Sequence, residues 1–172
     1  DQPLTHRLGD FDLIHARLTL TGLPQPTHTL HRLATTLTPG GTVLIEDWTI
    51  PDHDTVITAP SPAEHRLHTW FQRHLATVLD ATGSHRTWAR TIHATLHTHG
   101  LQDVQTLVHA TYWTGGSPGT RALATLLTHL WDPLLATGMT EQQLTHERDL
   151  LNDPRLILHG PLLYSTSARR PH

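Results

Sequence analysis

The chain has 172 residues, a formal net charge of −3 and 37% hydrophobic residues, with mean hydropathy −0.32. That is enough chain for one domain with a real core, burying roughly 70% of its surface on folding. It excludes several classes: no apolar run approaches the ~20 residues of a membrane span, there is no Cys for disulfides, thiolate metal sites or a thiol nucleophile, and the basic residues are all Arg and mostly scattered, so nucleic acid is not an expected partner. No hydrophobic leader segment follows the polar start, and a cytoplasmic protein is expected. The chain begins at Asp1 rather than Met, so a trimmed or processed start is expected.

Asp1 to Asp10 is polar and aperiodic. Phe11 to Arg17 reads as a buried strand from its apolar content and flanking breakers. Gly22 to Pro26 breaks the chain. Thr27 is placed to cap a helix carrying Leu30, Leu33, Ala34 and Leu37 on one face, and Pro39-Gly40-Gly41 stops it. Thr42 to Trp48 is a near-continuous apolar strand, the pattern of a strand with helices over both faces. Ile50 to Pro62 reads as a loop.

Pro62 to Thr82 is a predicted helix with Leu67, Trp70, Phe71, Leu75, Val78 and Leu79 on one face. Arg86 to His99 is another, through Trp88, Ile92 and Leu96, with Gly100 as its stop. Leu101 to Trp113 reads as a strand and Gly115 to Gly119 as a tight loop. Thr120 to Thr137 is amphipathic and ends at Gly138. Thr140-Glu-Gln-Gln143 fits a capping box for a helix to Leu151. Leu156 to Ser167 is a last strand interrupted by Gly160-Pro161, and Ala168 to His172 is a tail. Strands alternating with helices give an α/β class, with the last strand inserted antiparallel and no domain boundary inside residues 1–172.

Several segments together resemble class I S-adenosylmethionine-dependent methyltransferases of an actinobacterial, small-molecule type. Phe11-Asp-Leu-Ile-His-Ala-Arg-Leu18 is similar to that family's fourth strand, Leu37-Thr-Pro-Gly-Gly-Thr-Val-Leu-Ile-Glu-Asp47 to the turn into its fifth, and His99-Gly-Leu-Gln-Asp-Val104 to the entry of its sixth. Gly115-Gly-Ser-Pro118 and the closing Pro161 to Pro171 also sit where such members carry similar segments. The resemblance implies a Rossmann-like sheet of order 3-2-1-4-5-7-6, of which this chain would supply 4-5-7-6. It implies S-adenosylmethionine as cofactor, with His15, Ala16 and Arg17 lining its methionine end, at the carboxyl end of a strand beside the switch point where such sheets bind ligands.

The glycine-rich loop that receives the cofactor at a helix N-terminus, and the acidic ribose ligand, have no counterpart here: Gly40-Gly41 follows a helix and precedes a strand, and Gly115-Gly116 opens no phosphate loop. The chain alone is therefore not expected to bind the cofactor. A second chain carrying the amino-terminal half, or self-association, is expected to cover the edge of Phe11 to Leu18.

Glu46, Asp47 and Trp48 close the second strand, where a carboxylate could orient a substrate or act as a base. Asp47, Trp48 and Trp113 are the candidate substrate contacts, with Trp70, Phe71 and Trp131 as further aromatic candidates; no catalytic residue is assigned, because in-line methyl transfer gains much of its rate from proximity. His93 and His97, with His99 near, and His65 and His68 are pairs with metal-like spacing, but a site also needs a third ligand and a supporting shell, such pairs arise by chance among many histidines, and no metal is expected. Ser117 is followed by Pro118, which is not a nucleophile elbow. The expected activity is methyl transfer to a small molecule in natural-product biosynthesis. The alternative is a methyltransferase-fold subunit that acts as a partner, a lid or a non-methylating enzyme.

Overall fold

The computed structural model describes residues 10–51 and 54–172. The expectation for residues 1–9 lies outside them. The fold is α/β, and the described residues divide into two compact units: 10–49, 83–109 and 162–172 in one, and 50–51, 54–82 and 110–161 in the other.

The first unit is built on a four-stranded sheet. β1 (Phe11–Arg17) leads through a 3-10 turn (Leu20–Gly22) and α1 (Pro26–Thr35) to β2 (Leu37–Thr49), which lies parallel to β1. After α3 (Ile92–Thr98) comes β4 (Gln102–His109), and the chain closes with β7 (Leu162–Arg169) between β2 and β4. The order is β1-β2-β7-β4, the expected 4-5-7-6. β7, the last strand, is inserted antiparallel to both neighbours as expected, so only the β1–β2 pairing is parallel, although β1, β2 and β4 share one direction.

Cross-strand partners in a sheet point to the same face. Ala16, Ile45, Thr166 and Thr106 form one such row, with Ile14, Val43 and Ala168 beside it. This face packs on Leu30 and Ala34 of α1, Ile92 and Leu96 of α3, and Trp88 and Ala89 of the 3-10 turn before α3. The other face carries the rows Arg17, Glu46, Ser165, Leu107 and His15, Leu44, Ser167, Gln105. The described helices of this unit lie on the first face, so the expectation of helices over both faces of the second strand does not hold within the unit. β2 alternates accordingly, with Val43, Ile45 and Asp47 buried and Leu44, Glu46 and Trp48 half-buried.

Several boundaries move for local reasons. α1 starts at Pro26, whose fixed φ suits a first helical position, so Thr27 is not its cap; its hydroxyl accepts from Trp88 Nε1 at 2.9 Å instead. Leu37 to Gly41 belongs to β2, with Gly40 at φ 78° donating its N–H to Arg170 O. The helix expected from Arg86 splits into a 3-10 turn (Trp88–Thr91) and α3, and the Thr91 hydroxyl takes the Trp88 carbonyl.

The second unit packs α2 (Pro62–Ala81), α4 (Pro118–His129), α5 (Trp131–Ala136) and α6 (Glu141–Leu150) with a small antiparallel sheet of β3 (Val56–Thr58), β6 (Ile157–His159) and β5 (Tyr112–Thr114). Phe71, Leu75, Val78, Leu127, Leu134, Leu144, Leu151 and Leu158 form its core. Thr140 and Gln143 make the expected capping box. The single helix expected from Thr120 to Thr137 breaks at Leu130, because Pro133 has no N–H to give and crowds the His129 carbonyl. The two long strands expected at Leu101 to Trp113 and Leu156 to Ser167 each divide, and their parts serve different units. β3 lies within the segment expected to be loop. Among the described residues no helix is long and apolar enough to cross a membrane.

Candidate functional site

β1 and β2 end side by side, and their register decides what meets there. Arg17 stands opposite Glu46, and His15 lies two residues earlier on the same face. Arg17 Nη1 donates to Glu46 Oε2 at 3.0 Å, and His15 Nε2 lies 2.9 Å from the same oxygen. The Glu46 side chain is 13% exposed, against 45% for His15 and 55% for Arg17. The bond to His15 is the largest influence holding the Glu46 carboxyl below its ordinary range; burial opposes it, and Arg17 and Ser165 add to it. An anion held this way orients its donors more readily than it takes a proton. Arg17 keeps further N–H donors beyond the one given to Glu46. The strand then turns at Leu18, whose φ of 52° is costly for a branched side chain, with its N–H on Glu46 O at 2.8 Å.

Asp47 faces the packed side. Its Oδ2 accepts from Thr21 N at 2.9 Å and its Oδ1 from Trp48 N at 3.1 Å, so it pins the 3-10 turn after β1 to the end of β2. It is 3% exposed. Beside it, the buried Thr21 hydroxyl has no hydrogen-bond partner. Ala16 packs against the core beneath the site. The structure therefore brings His15, Arg17 and Glu46 into one cluster and places Asp47 and Trp48 on the adjoining strand end.

Trp113 belongs to the second unit, on β5, where Gly119 and Gly160 make room for it: a Cβ on Gly119 would stand 2.2 Å from its ring and one on Gly160 2.8 Å. Of the other aromatic candidates, Phe71 is core, Trp131 packs against that core, and Trp70 is exposed on α2, not on the buried face where the pattern put it.

The histidine pairs with metal-like spacing go separate ways. His65 bonds Asp54, His68 is buried against Glu147 Oε1 at 2.7 Å, and His93 Nδ1 lies 3.0 Å from the Thr106 hydroxyl. Among the described residues no three His, Asp or Glu side chains are arranged to hold a metal. The sequence offers Glu46 as one of three residues closing β2 and does not offer Thr21. What joins Glu46 to Arg17 is the register of β1 on β2, which the sequence does not show, and nothing in the sequence marks the Thr21 hydroxyl.

Residues 2–106 match the family model of a methyltransferase domain, and the chain belongs to that family. No curated protein sequence matches it. Among solved structures it is similar to a putative methyltransferase from Bacillus halodurans C-125, at 13% identity over 96% of this chain and 73% of that one, with a TM-score of 0.49. It is similar to the YcgJ protein of Bacillus subtilis at 16% identity, covering 99% of this chain and 68% of that one, with a TM-score of 0.48. A third is phosphoethanolamine N-methyltransferase 2 of Haemonchus contortus in complex with S-adenosyl-L-methionine, at 11% identity, 94% and 34% coverage and a TM-score of 0.46. This chain spans about a third of that protein's length.

Proposed function

We propose that the chain is the carboxyl-terminal half of an S-adenosylmethionine-dependent methyltransferase that acts on a small molecule, and that further strands and helices, upstream in the same polypeptide or on a second chain, complete its cofactor site. One observation carries this reading. The sheet pairs β1 on one side alone among the described strands, and the rows of His15 and Arg17 lie on the face without a described helix of their unit. Leu13, on the same face, is 61% exposed and Leu107 66%. An apolar strand edge and a bare face together call for both a neighbouring strand and a covering layer.

The donor set fits one end of the cofactor. The free N–H groups of Arg17 and the His15 ring suit an anionic, hydrogen-bonding group such as the methionine carboxylate. No described glycine turn at this end suits the adenosine end, which is why the completing half is part of the proposal. S-adenosylmethionine, when bound, supplies the electrophilic methyl group. This chain's residues hold and orient: Glu46 fixes Arg17 and His15, Asp47 fixes the turn beside them, and Trp48 contacts the acceptor. Rate then comes from placing the acceptor in line rather than from a dedicated base.

The experiment is Arg17→Ala in the native assembly. The guanidinium is mostly exposed, so melting temperature should shift little, while S-adenosylmethionine affinity falls about ten-fold or more, the value of a charge-assisted pair. Equal affinity in the variant and the wild type would remove Arg17 from the site.

A further inference from the structure

The second unit holds a cavity of about 480 Å³ along α2, lined by Asp54, His65, Arg66, Thr69, Trp70 and Arg73 among others. Its residues are not those of the cluster described above, and they follow from helix geometry. Arg66, Trp70 and Arg73 stand at i, i+4 and i+7, one stripe of a 3.6-residue helix, and Phe71, Leu75 and Val78 take the opposite stripe into the core. The helix thus has core positions for large apolar residues, yet it leaves Trp70 44% exposed between two arginines, with the His74 ring 4.5 Å from it.

The charges in the cavity are unevenly committed. Asp54 is held by the His65 ring, the Thr69 hydroxyl at 3.3 Å and the Val56 N–H at 3.0 Å. Burial pushes its carboxyl up, and those bonds outweigh the push, leaving it below its ordinary range. The guanidiniums of Arg66 and Arg73 have no ion pair or hydrogen bond among the described residues. Two uncommitted guanidiniums therefore flank an exposed indole, in a cavity of small-molecule size. Guanidinium forks favour carboxylate, sulfonate or phosphate oxygens, and an indole face favours a flat ring.

We propose that this cavity binds a small aromatic anion, its ring against Trp70 and its charged group between Arg66 and Arg73. Seven residues separate the two arginines, about 10 Å along the helix axis, which two long side chains can close over one ligand. The proposal stands whether or not the chain transfers methyl groups.

The test titrates the 172-residue chain with 8-anilinonaphthalene-1-sulfonate and with the uncharged N-phenyl-1-naphthylamine, by calorimetry and by Trp fluorescence. The sulfonate should bind about ten-fold or more tightly than the neutral dye, and its affinity should fall with added salt. In Arg66→Gln/Arg73→Gln the sulfonate should lose that advantage while the neutral dye is unchanged. Arg66→Lys/Arg73→Lys, which keeps the charge, should retain binding to within a few-fold, and a melting curve of each variant confirms folding. Equal affinity for the two dyes, or an undiminished sulfonate affinity in the Gln variant, overturns the proposal. So does a hexaglutamate peptide that displaces the sulfonate at lower concentration, since that would make the stripe a docking face for an acidic protein.

Discussion

At the scale of single residues, two carboxylates carry opposite lessons. Glu46 is partly exposed and its carboxyl is lowered from an ordinary 4.5 by His15 first and Arg17 after it. A carboxyl lowered in the folded state binds its proton more readily when unfolded, so its contribution is present above the unfolded value and lost as pH falls through the folded one. The wild type should exceed Glu46→Gln by about 1 kcal/mol at neutral pH. That gap should shrink as pH falls below 4.5. Urea titrations of both proteins between about pH 5.5 and about pH 3 measure it, and a gap that widens below 4.5 would reverse the assignment. Glu147 is instead fully buried with His68, and each keeps one side-chain atom without a partner. Removing one member strands the other, so Glu147→Leu should cost about 3 kcal/mol. His68→Leu with Glu147→Met should recover most of the loss, because two apolar side chains replace a pair that had to be desolvated. Additive losses in denaturant unfolding would show that the two residues do not act as a pair.

At the scale of elements, the sequence was readable where one physical cause decides the outcome. Apolar runs at Phe11 to Arg17 and Thr42 to Trp48 give β1 and β2, but β1, expected to be buried, has no fully buried residue and leaves Leu13 61% exposed, because its outer edge and one face have no described neighbour in their unit. The antiparallel insertion of the last strand was also legible. Long-range choices were not. Gly160-Pro161 marked a break, but a break does not say that Ile157–His159 and Leu162–Arg169 join different sheets. Trp70 fits the apolar period of α2 and still faces out, because burial depends on what packs opposite. His68 and Glu147 each occupy a buried stripe, yet a helical wheel cannot pair residues from two helices. The cluster at Glu46 required the register of β1 on β2, which the hydrophobic pattern leaves open by steps of two residues.

Two predictions belong at this scale. Gly119→Ala drives a methyl into the Trp113 ring and should destabilise the second unit by about 2 kcal/mol, seen as a lower melting temperature. Leu13→Glu alters an exposed side chain on β1, so it should leave the chain's own unfolding within about 0.5 kcal/mol. The same change should block joining of any completing strand, which gel filtration of the native assembly would report. Unchanged assembly would place the partner elsewhere.

At the scale of the whole molecule, the account makes one claim from three features: membership of a methyltransferase domain family, a sheet of order β1-β2-β7-β4, and a donor cluster beside an open edge and a bare face. A chain that is the carboxyl-terminal half proposed above should bind S-adenosylmethionine only when completed. Calorimetric titration of S-adenosylmethionine into the isolated 172-residue chain, and in parallel into the native assembly purified from its source, tests this most directly. The account predicts no measurable heat with the chain alone and binding in the micromolar range, about −8 kcal/mol, with the assembly. Micromolar binding by the isolated, monomeric chain would contradict it.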